Sequence, residues 1–488
     1  MTKDQNIMEA TDSQMIDDFL SNNKGKKVVV VQGLGFVGAV MSLVCANGIT
    51  EEYAVIGVDL PTKEAIKKIN ALNRGEFPIA SSDPKVMEYF EKSRSKSNFL
   101  ATHSTYAYQK ADVIIIDINL DVDKVSSDEK VLQSYDVSLS GFKKAIQSIG
   151  RACQPDVLIL VETTVPPGTC QFVVKPIIEE EFGQRGISFN GYIGHSYERV
   201  MPGPKYIDSI QNFYRVYSGI DEPSANKVEA FLKTIIRTDE YPLTRLSNTH
   251  ATEMAKVLEN SFRAMNIAFI QEWSNYAEEA GVNIYEVIQA IRMRPTHKNI
   301  MMPGLGVGGY CLTKDPLLAS WSKKTMFKSE KGLSNSEQAV QINDRMPLRA
   351  FDIIENNVKG GLSSKRVLLL GISYLNDVGD TRYTPVELLC RKLLAAGAQL
   401  TLHDPFLEYW DELELAIETD LEEIFQKKYD VVLISTAHSS YRNNIGLINF
   451  FETKKDLFVL DCWGILSPEE IIRIAQKNTV KVIGRGDI

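Results

Sequence analysis

Four glycines, Gly304, Gly306, Gly308 and Gly309, crowd the residues ahead of Cys311, and Asp315 follows four positions on. Glycine removes side-chain bulk, so such a loop can wrap a ligand with its amides while holding a thiol at a fixed point. A thiol placed there can act as a nucleophile, or it can be one more packed cysteine. Upstream, Lys256 and Asn260 stand at i and i+4 of a helix-length stretch and so share one helical face. A cation and an amide on one face can hold an oxyanion together. The alternative is a solvated face on which Glu253 pairs Lys256 at i, i+3.

A second constellation lies near the start, where the run VVVVQGLGFVGAV sets Gly33, Gly35 and Gly38 directly after an apolar β-branched stretch and at the head of a predicted helix that opens with Phe36 and Val37. In this pattern the first glycine permits the tight turn, the second lets backbone amides approach a pyrophosphate, and the third lets helix and strand pack closely. The helix N-terminus adds amide donors and the positive end of its dipole. Asp59 ends the next strand about 20 residues on, where a carboxylate accepts bonds from ribose hydroxyls and repels a 2′-phosphate, so NAD is the expected cofactor rather than NADP.

These residues need a scaffold. Apolar runs at 28–31, 53–58, 112–118 and 157–161, separated by helix-length segments, predict a right-handed βαβ parallel sheet, and a second series begins at 366–371 with later strands at 399–403, 430–435 and 457–460. Between them, residues 249–280 read as one long helix whose Met254, Leu258, Phe262, Met265 and Phe269 recur at spacings of three and four, a stripe to be buried against another helix or another subunit. The expected fold is α/β: two Rossmann-like parallel-sheet domains joined by a long central helix. The corresponding segments are a helical or disordered leader at 1–26, a cofactor domain at 27–245, a central helical domain with the cysteine loop at 246–345, and a second sheet domain at 346–488.

The bulk chemistry narrows the partners. A length of 488 residues exceeds one ordinary core, and 44% hydrophobic with 24% charged residues is ordinary globular composition. A net charge of -9 argues against nucleic acid or an anionic membrane as partner. No apolar run is long enough for a bilayer and the polar start lacks a signal-peptide core, so a cytoplasmic location is expected. The six cysteines form no C-x-x-C pair, which fits neither a disulfide framework nor a metal site.

Seven segments in order, GLGFVG, ETTVPPGTC, HSYERVMPG, EMAKVLENSFRAMNIAF, GVGGYCLTKDP, QINDRMP and GISYLNDVGDTRYTP, resemble the UDP-glucose/GDP-mannose dehydrogenase family, and look most like its branch acting on UDP-N-acetylhexosamines. The resemblance implies an NAD-dependent, four-electron oxidation of a sugar 6-hydroxyl to a carboxylate, by way of a thiohemiacetal and a thioester on Cys311. It implies that Lys256 stabilises the oxyanion, that Asn260 holds the same oxygen or a water, and that Asp315 shares a water or acts as a base near the thiol. Glu198 resembles the family's water-activating glutamate, and Thr164 stands where the family places a hydroxyl near cofactor and water. Arg199 and Val200 beside Glu198, and Gly308, Gly309 and Tyr310 beside the cysteine, become substrate contacts, while Arg382 of Asp380-Thr381-Arg382 reaches the cofactor. A surface salt bridge is the other fate open to Arg382. The family also implies a UDP-sugar partner, a role in polysaccharide synthesis and a homodimer.

The sequence departs from the family at Tyr197, where proline is usual before the glutamate, at Leu375, where lysine commonly follows the aromatic residue of G-x-x-Y-K, and at Leu305, Asn119 to Asp121 and His297. These positions bear on sugar and phosphate contacts, not on the thiol. Two other functions compete: UDP-glucose 6-dehydrogenase, disfavoured by the E-R-V-M-P-G segment, and a non-catalytic NAD-binding scaffold, which has no use for cysteine, lysine, asparagine and aspartate together.

Overall fold

The computed structural model describes residues 3–79, 81–127, 131–200 and 203–488. They form two compact units, one of the chain up to Val122, Val137–Val257 and Trp321–Gly332, the other of Asp123–Asp136, Leu258–Ser320 and Leu333–Ile488. Residues of the segment 246–345 are thus divided between the two.

In the first unit the β-branched run becomes the strand Lys27–Gln32, third from one edge of an eight-stranded sheet. Across the sheet the order is Phe99–Thr102, Tyr53–Val58, Lys27–Gln32, Val113–Ile116, Leu158–Val161, Tyr192–His195, Val216–Gly219 and Thr244–Arg245. In chain order the first six strands run 3-2-1-4-5-6, so the direction of winding reverses between Lys27–Gln32 and Val113–Ile116, the crevice where doubly wound sheets receive ligands. The six are parallel, but Val216–Gly219 runs antiparallel to Tyr192–His195, which the expectation of an all-parallel sheet did not include. Gly194 and Gly219 face each other at that junction, and a Cβ on Gly194 would lie 2.3 Å from Val228 of the covering helix Glu222–Ile235. Helix Lys3–Asn22 packs on this unit through buried Ile16 and Phe19, with Asp12 accepting from Thr102 at 3.0 Å and Asp17 from Tyr106 at 3.1 Å; Met1 and Thr2 of the leader lie outside the described residues.

The second unit holds five parallel strands ordered Gln399–His403, Arg366–Leu370, Val431–Ile434, Phe458–Asp461 and Thr479–Val482, in chain order 2-1-3-4-5. Apolar clusters cover both faces, as a parallel sheet requires. A hairpin, Asp123–Ser126 with Leu132–Asp136, also belongs to this unit and packs on helix Ser334–Asn357.

The long helix spans Thr249–Ala280. Its stripe is not covered: Met254, Leu258, Phe262 and Phe269 are each more than half exposed, and Trp273 and Tyr276 extend the same face. Only Met265 turns inward, onto Ala264, Ala268 and Ala339.

Candidate active site

In the first unit Gly33 makes the turn at φ +101°, and a Cβ there would sit 2.3 Å from the Asp117 carbonyl of the neighbouring strand end. Gly38 is equally constrained, its Cβ falling 1.9 Å from the Gly33 carbonyl. Gly35 differs, because a Cβ on it would meet no atom of the described residues within 4 Å. Packing therefore demands the first and third glycines, and among the described residues nothing crowds the second. Gly35 is the N-cap of helix Phe36–Ala46 and brings no side chain to it; Val37 is half-buried there and the Phe36 carbonyl accepts from Tyr206. Asp59 caps the next strand end, accepting from the Leu34 amide at 3.2 Å, which keeps its carboxylate beside the glycine turn. A glycine crest, a helix N-terminus and an adjacent carboxylate fit the pyrophosphate and ribose of NAD.

At the other strand ends of this unit, Thr163 bonds the Ile116 carbonyl at 2.9 Å and leads to half-buried Thr164. Glu198 follows strand Tyr192–His195, and Lys256 donates to its carbonyl oxygen at 2.9 Å while lying 3.7 Å from its carboxylate. Tyr197, the residue in place of proline, is buried under two cations: Lys256 Nζ stands 5.4 Å and the Arg199 guanidinium 5.4 Å from its ring. Arg199 also donates to the Tyr214 carbonyl at 2.9 Å, and Val200 packs into the core, so both are committed within the chain. Met201 and Pro202 of the same motif lie outside the described residues.

Glu253 does not pair Lys256. Its buried carboxylate instead accepts from the amides of Gly168 at 2.6 Å and Cys170 at 2.8 Å, gathering the Pro166-Pro167-Gly168 turn. Burial pushes its pKa up to about 7 against those bonds. An Asp117, Glu162 and Arg215 cluster lies under the strand ends, with Glu162 and Arg215 ion-paired. Burial first, and Glu198 second, push the Asp117 carboxyl above the usual carboxylate range, with Arg215 opposing.

In the second unit Cys311 begins helix Cys311–Thr325 and is exposed, whereas the other five cysteines are buried. Negative charge on a group at a helix N-terminus is stabilised by the dipole. Behind it, Asp315 is buried with both oxygens engaged: Asn260 donates at 2.6 Å and Lys314 at 2.9 Å. In that geometry the Asp315 carboxylate orients the Asn260 amide. The glycines of the loop have packing reasons of their own. A Cβ on Gly304 would strike Trp463 at 2.4 Å, one on Gly308 the Tyr383 carbonyl at 2.4 Å, and one on Gly309 the Tyr374 ring at 2.9 Å. Asn343 clamps the loop by bonding both the amide and the carbonyl of Val307 at 2.8 Å. Arg382 pairs with Asp380 and lies 4.9 Å over the Tyr310 ring, next to the cysteine, so it is more than a surface salt bridge. His297 sits in the short turn Pro295–His297, half-buried and bonded to Thr296.

Lys314, Asn343 and Tyr374 escaped the reading of motifs. Lys314 and Asp315 are adjacent in sequence, and nothing in that adjacency says the helix buries both. Tyr374 is marked in the sequence only as the neighbour of Leu375, yet its side chain is what a Cβ on Gly308 or Gly309 would meet. Among the described residues no group of histidine, cysteine, aspartate and glutamate side chains could hold a metal, and no helix is long and apolar enough to cross a membrane.

Residues 26–236 match the NAD binding domain of the UDP-glucose/GDP-mannose dehydrogenase family, 250–345 its central domain and 368–468 its UDP binding domain. The chain is 28% identical to a UDP-N-acetyl-D-mannosamine dehydrogenase of Methanocaldococcus jannaschii over 96% of this chain and 98% of the relative. It is 28% identical to the enzyme of that name from Pyrococcus horikoshii, over 94% of this chain and 100% of the relative. Among solved structures, an NDP-N-acetyl-D-galactosaminuronic acid dehydrogenase from Methanosarcina mazei superimposes with a TM-score of 0.77 at 26% identity, covering 96% of this chain and 98% of its own.

Proposed function

This chain belongs to the UDP-glucose/GDP-mannose dehydrogenase family and is an NAD-dependent nucleotide-sugar dehydrogenase, and we propose that it oxidises the 6-hydroxyl of a UDP-N-acetylhexosamine to a carboxylate. UDP-N-acetyl-D-mannosamine stands first among these, since the archaeal relatives above carry its name. The observation that carries the four-electron reading is Cys311, the one exposed cysteine, at a helix N-terminus behind a clamped loop.

NAD, when bound, accepts a hydride from C6 at each of the two oxidations. An aldehyde must first gain a nucleophile before it can give up a second hydride. The Cys311 sulfur adds to the aldehyde carbon, making a thiohemiacetal; loss of hydride leaves the thioester, and water then breaks the C–S bond to free the acid and the thiol. Lys256 and Asn260, one helical turn apart, stabilise negative charge on the C6 oxygen. Asp315, with Lys314, holds the Asn260 amide in place. Thr164 orients the hydrolytic water and Glu198 deprotonates it, and Gly308, Gly309 and Tyr310 contact the substrate. Gly33, Gly35, Phe36, Val37, Gly38 and Asp59 hold NAD, with Arg382 in support.

A second copy of the chain covers the stripe of Met254, Leu258, Phe262, Phe269, Trp273 and Tyr276, because so long an apolar face is rarely left in water. The reaction is placed in the cytoplasm, which keeps the six free cysteines reduced and where the acid would feed polysaccharide synthesis. The test is NADH formation with UDP-N-acetylmannosamine, UDP-N-acetylglucosamine, UDP-N-acetylgalactosamine, UDP-glucose and GDP-mannose. An N-acetylated UDP sugar should give the highest kcat/KM; preference for UDP-glucose would move the substrate, and no turnover of any would favour a scaffold.

A further inference from the structure

Helix Lys3–Asn22 lies ahead of every motif in the sequence, yet its bonds lead to the cofactor turn. It packs along Phe99–Thr102, the last strand at that edge of the first unit's sheet. At the foot of the strand Asn23 donates to the Ser97 carbonyl at 2.8 Å, and at its head Thr102 donates to Asp12 at 3.0 Å. At their usual rises the helix from Asp12 to Asn23 and the chain from Ser97 to Thr102 each span about 16 Å. The helix therefore runs antiparallel to the strand and brings Asp12 level with the strand ends.

Two acids of this helix grip the segment that follows the strand. Asp12, besides accepting from Thr102, stands 2.6 Å from His103 Nδ1, and Asp17 accepts from the Tyr106 hydroxyl at 3.1 Å and lies 3.1 Å from Lys110 Nζ. The gripped segment touches both parts of the cofactor turn. The Thr102 carbonyl accepts from the Asp59 amide at 3.1 Å, and the buried Tyr108 hydroxyl bonds Gln32, the residue before Gly33. Asp59 in turn accepts from the amides of Leu34 at 3.2 Å and Leu60 at 2.8 Å. A line of bonds thus runs from Asp12 through Thr102 to the carboxylate assigned to the adenosine ribose. Among the described residues no further strand lies beside Phe99–Thr102, so the end of this short edge strand depends on the helix for support.

We propose that Asp12 is a positioning residue for NAD. It fixes the end of Phe99–Thr102 and, through the Thr102 carbonyl, the backbone of Asp59, so the carboxylate meets the adenosine ribose already oriented. Without Asp12 the strand end is free to move, and NAD must order it on binding, which costs affinity. The inference rests on the placement of the ribose at Asp59 and adds to it a residue from an element outside the glycine turn.

NAD and UDP are titrated separately into the full-length protein, and kcat and KM for NAD are measured with the preferred UDP sugar. Asp12→Ala should raise the Kd and KM for NAD about fivefold while kcat at saturating NAD and the affinity for UDP stay as they were. Asp12→Asn, which can still accept from Thr102, should stay within about twofold. Thr102→Val removes the same bond from the strand side and should match Asp12→Ala, and the two together should bind NAD no worse than either alone. NAD affinity unchanged in both single variants overturns the assignment, as do additive losses or an equal loss of NAD and UDP binding, the mark of a general loosening of the fold. Asp59→Ala separates the assignment from the reading beneath it, and should weaken NAD binding more than about tenfold. If Asp59→Ala does not, the ribose placement fails and the assignment with it; if it does while Asp12→Ala and Thr102→Val bind NAD normally, the assignment of Asp12 alone fails.

Discussion

The two sheets end in crests built on one plan and finished in opposite ways. In the first, the winding reverses beside Lys27–Gln32, and the turn after that strand carries Gly35, around which a side chain would find open space. In the second, the reversal lies beside Arg366–Leu370, and the turn Gly371-Ile372-Ser373 is filled from within the chain. A Cβ on Gly371 would lie 2.4 Å from Thr436, and Asp404 accepts from the amides of Ile372 at 2.8 Å and Ser373 at 3.0 Å, from the Ser373 hydroxyl at 2.7 Å, and pairs with His438 at 3.1 Å. All three of these side chains are buried. The bonds that a pyrophosphate would make at an open crest are made here by Asp404, so topology provides the slot and side chains decide whether it stays available.

The strongest way to break this comparison is to fill both crests. Gly35→Val should leave the melting temperature nearly unchanged and weaken NAD binding by about 100-fold, since two or so charge-assisted amide contacts are lost. Gly371→Val should do the reverse, lowering the melting temperature and leaving NAD affinity intact. Titration of NAD beside thermal melts of both variants checks it.

Acid and base should then divide the two crests. Burial opposes the charge on Asp404, but His438 and the Ile372 and Ser373 amides outweigh it and bring its pKa down to about 2. A depressed pKa means stability that is present above the unfolded value and lost as pH falls through the folded one, here about 2 kcal/mol. Asp404→Asn should remove most of the acid sensitivity of the second unit, read by hydrogen exchange of the strands Arg366–Leu370 and Gln399–His403. Glu253 of the first unit runs the other way. Its pKa, raised by burial to about 7, implies stability that is full below the unfolded value and lost as pH rises through 7, about 1 kcal/mol between pH 6 and about 8. Glu253→Gln should flatten that alkaline loss at the Pro166-Pro167-Gly168 turn and leave the acid limb alone.

How legible these features were depends on how local their causes are. The strands at 28–31, 53–58 and 399–403 and the helix at 249–280 announce themselves by unbroken apolar runs or periodicity, and the structure places them at Lys27–Gln32, Tyr53–Val58, Gln399–His403 and Thr249–Ala280. Phe99–Thr102 and Val216–Gly219 are four residues long, too short for a pattern of their own, and are strands because neighbours supply the hydrogen bonds. The glycine turn and Asp59 were readable because a backbone turn and its carboxylate follow from chain spacing. Lys314 holding Asp315 and Glu253 leaving Lys256 for the amides of Gly168 and Cys170 both depend on which faces the tertiary structure turns inward. Spacing within one segment does not carry that information.

Cys311 remains the residue on which the proposed chemistry turns. The most direct measurement is the product balance of the unaltered protein and of Cys311→Ala with the preferred UDP sugar, together with mass analysis of the acid-quenched protein. The proposed mechanism predicts two NADH per sugar, a sugar adduct on the Cys311 peptide, and no acid from Cys311→Ala although it still binds NAD and UDP. Acid formation by Cys311→Ala at the rate of the unaltered protein would contradict it.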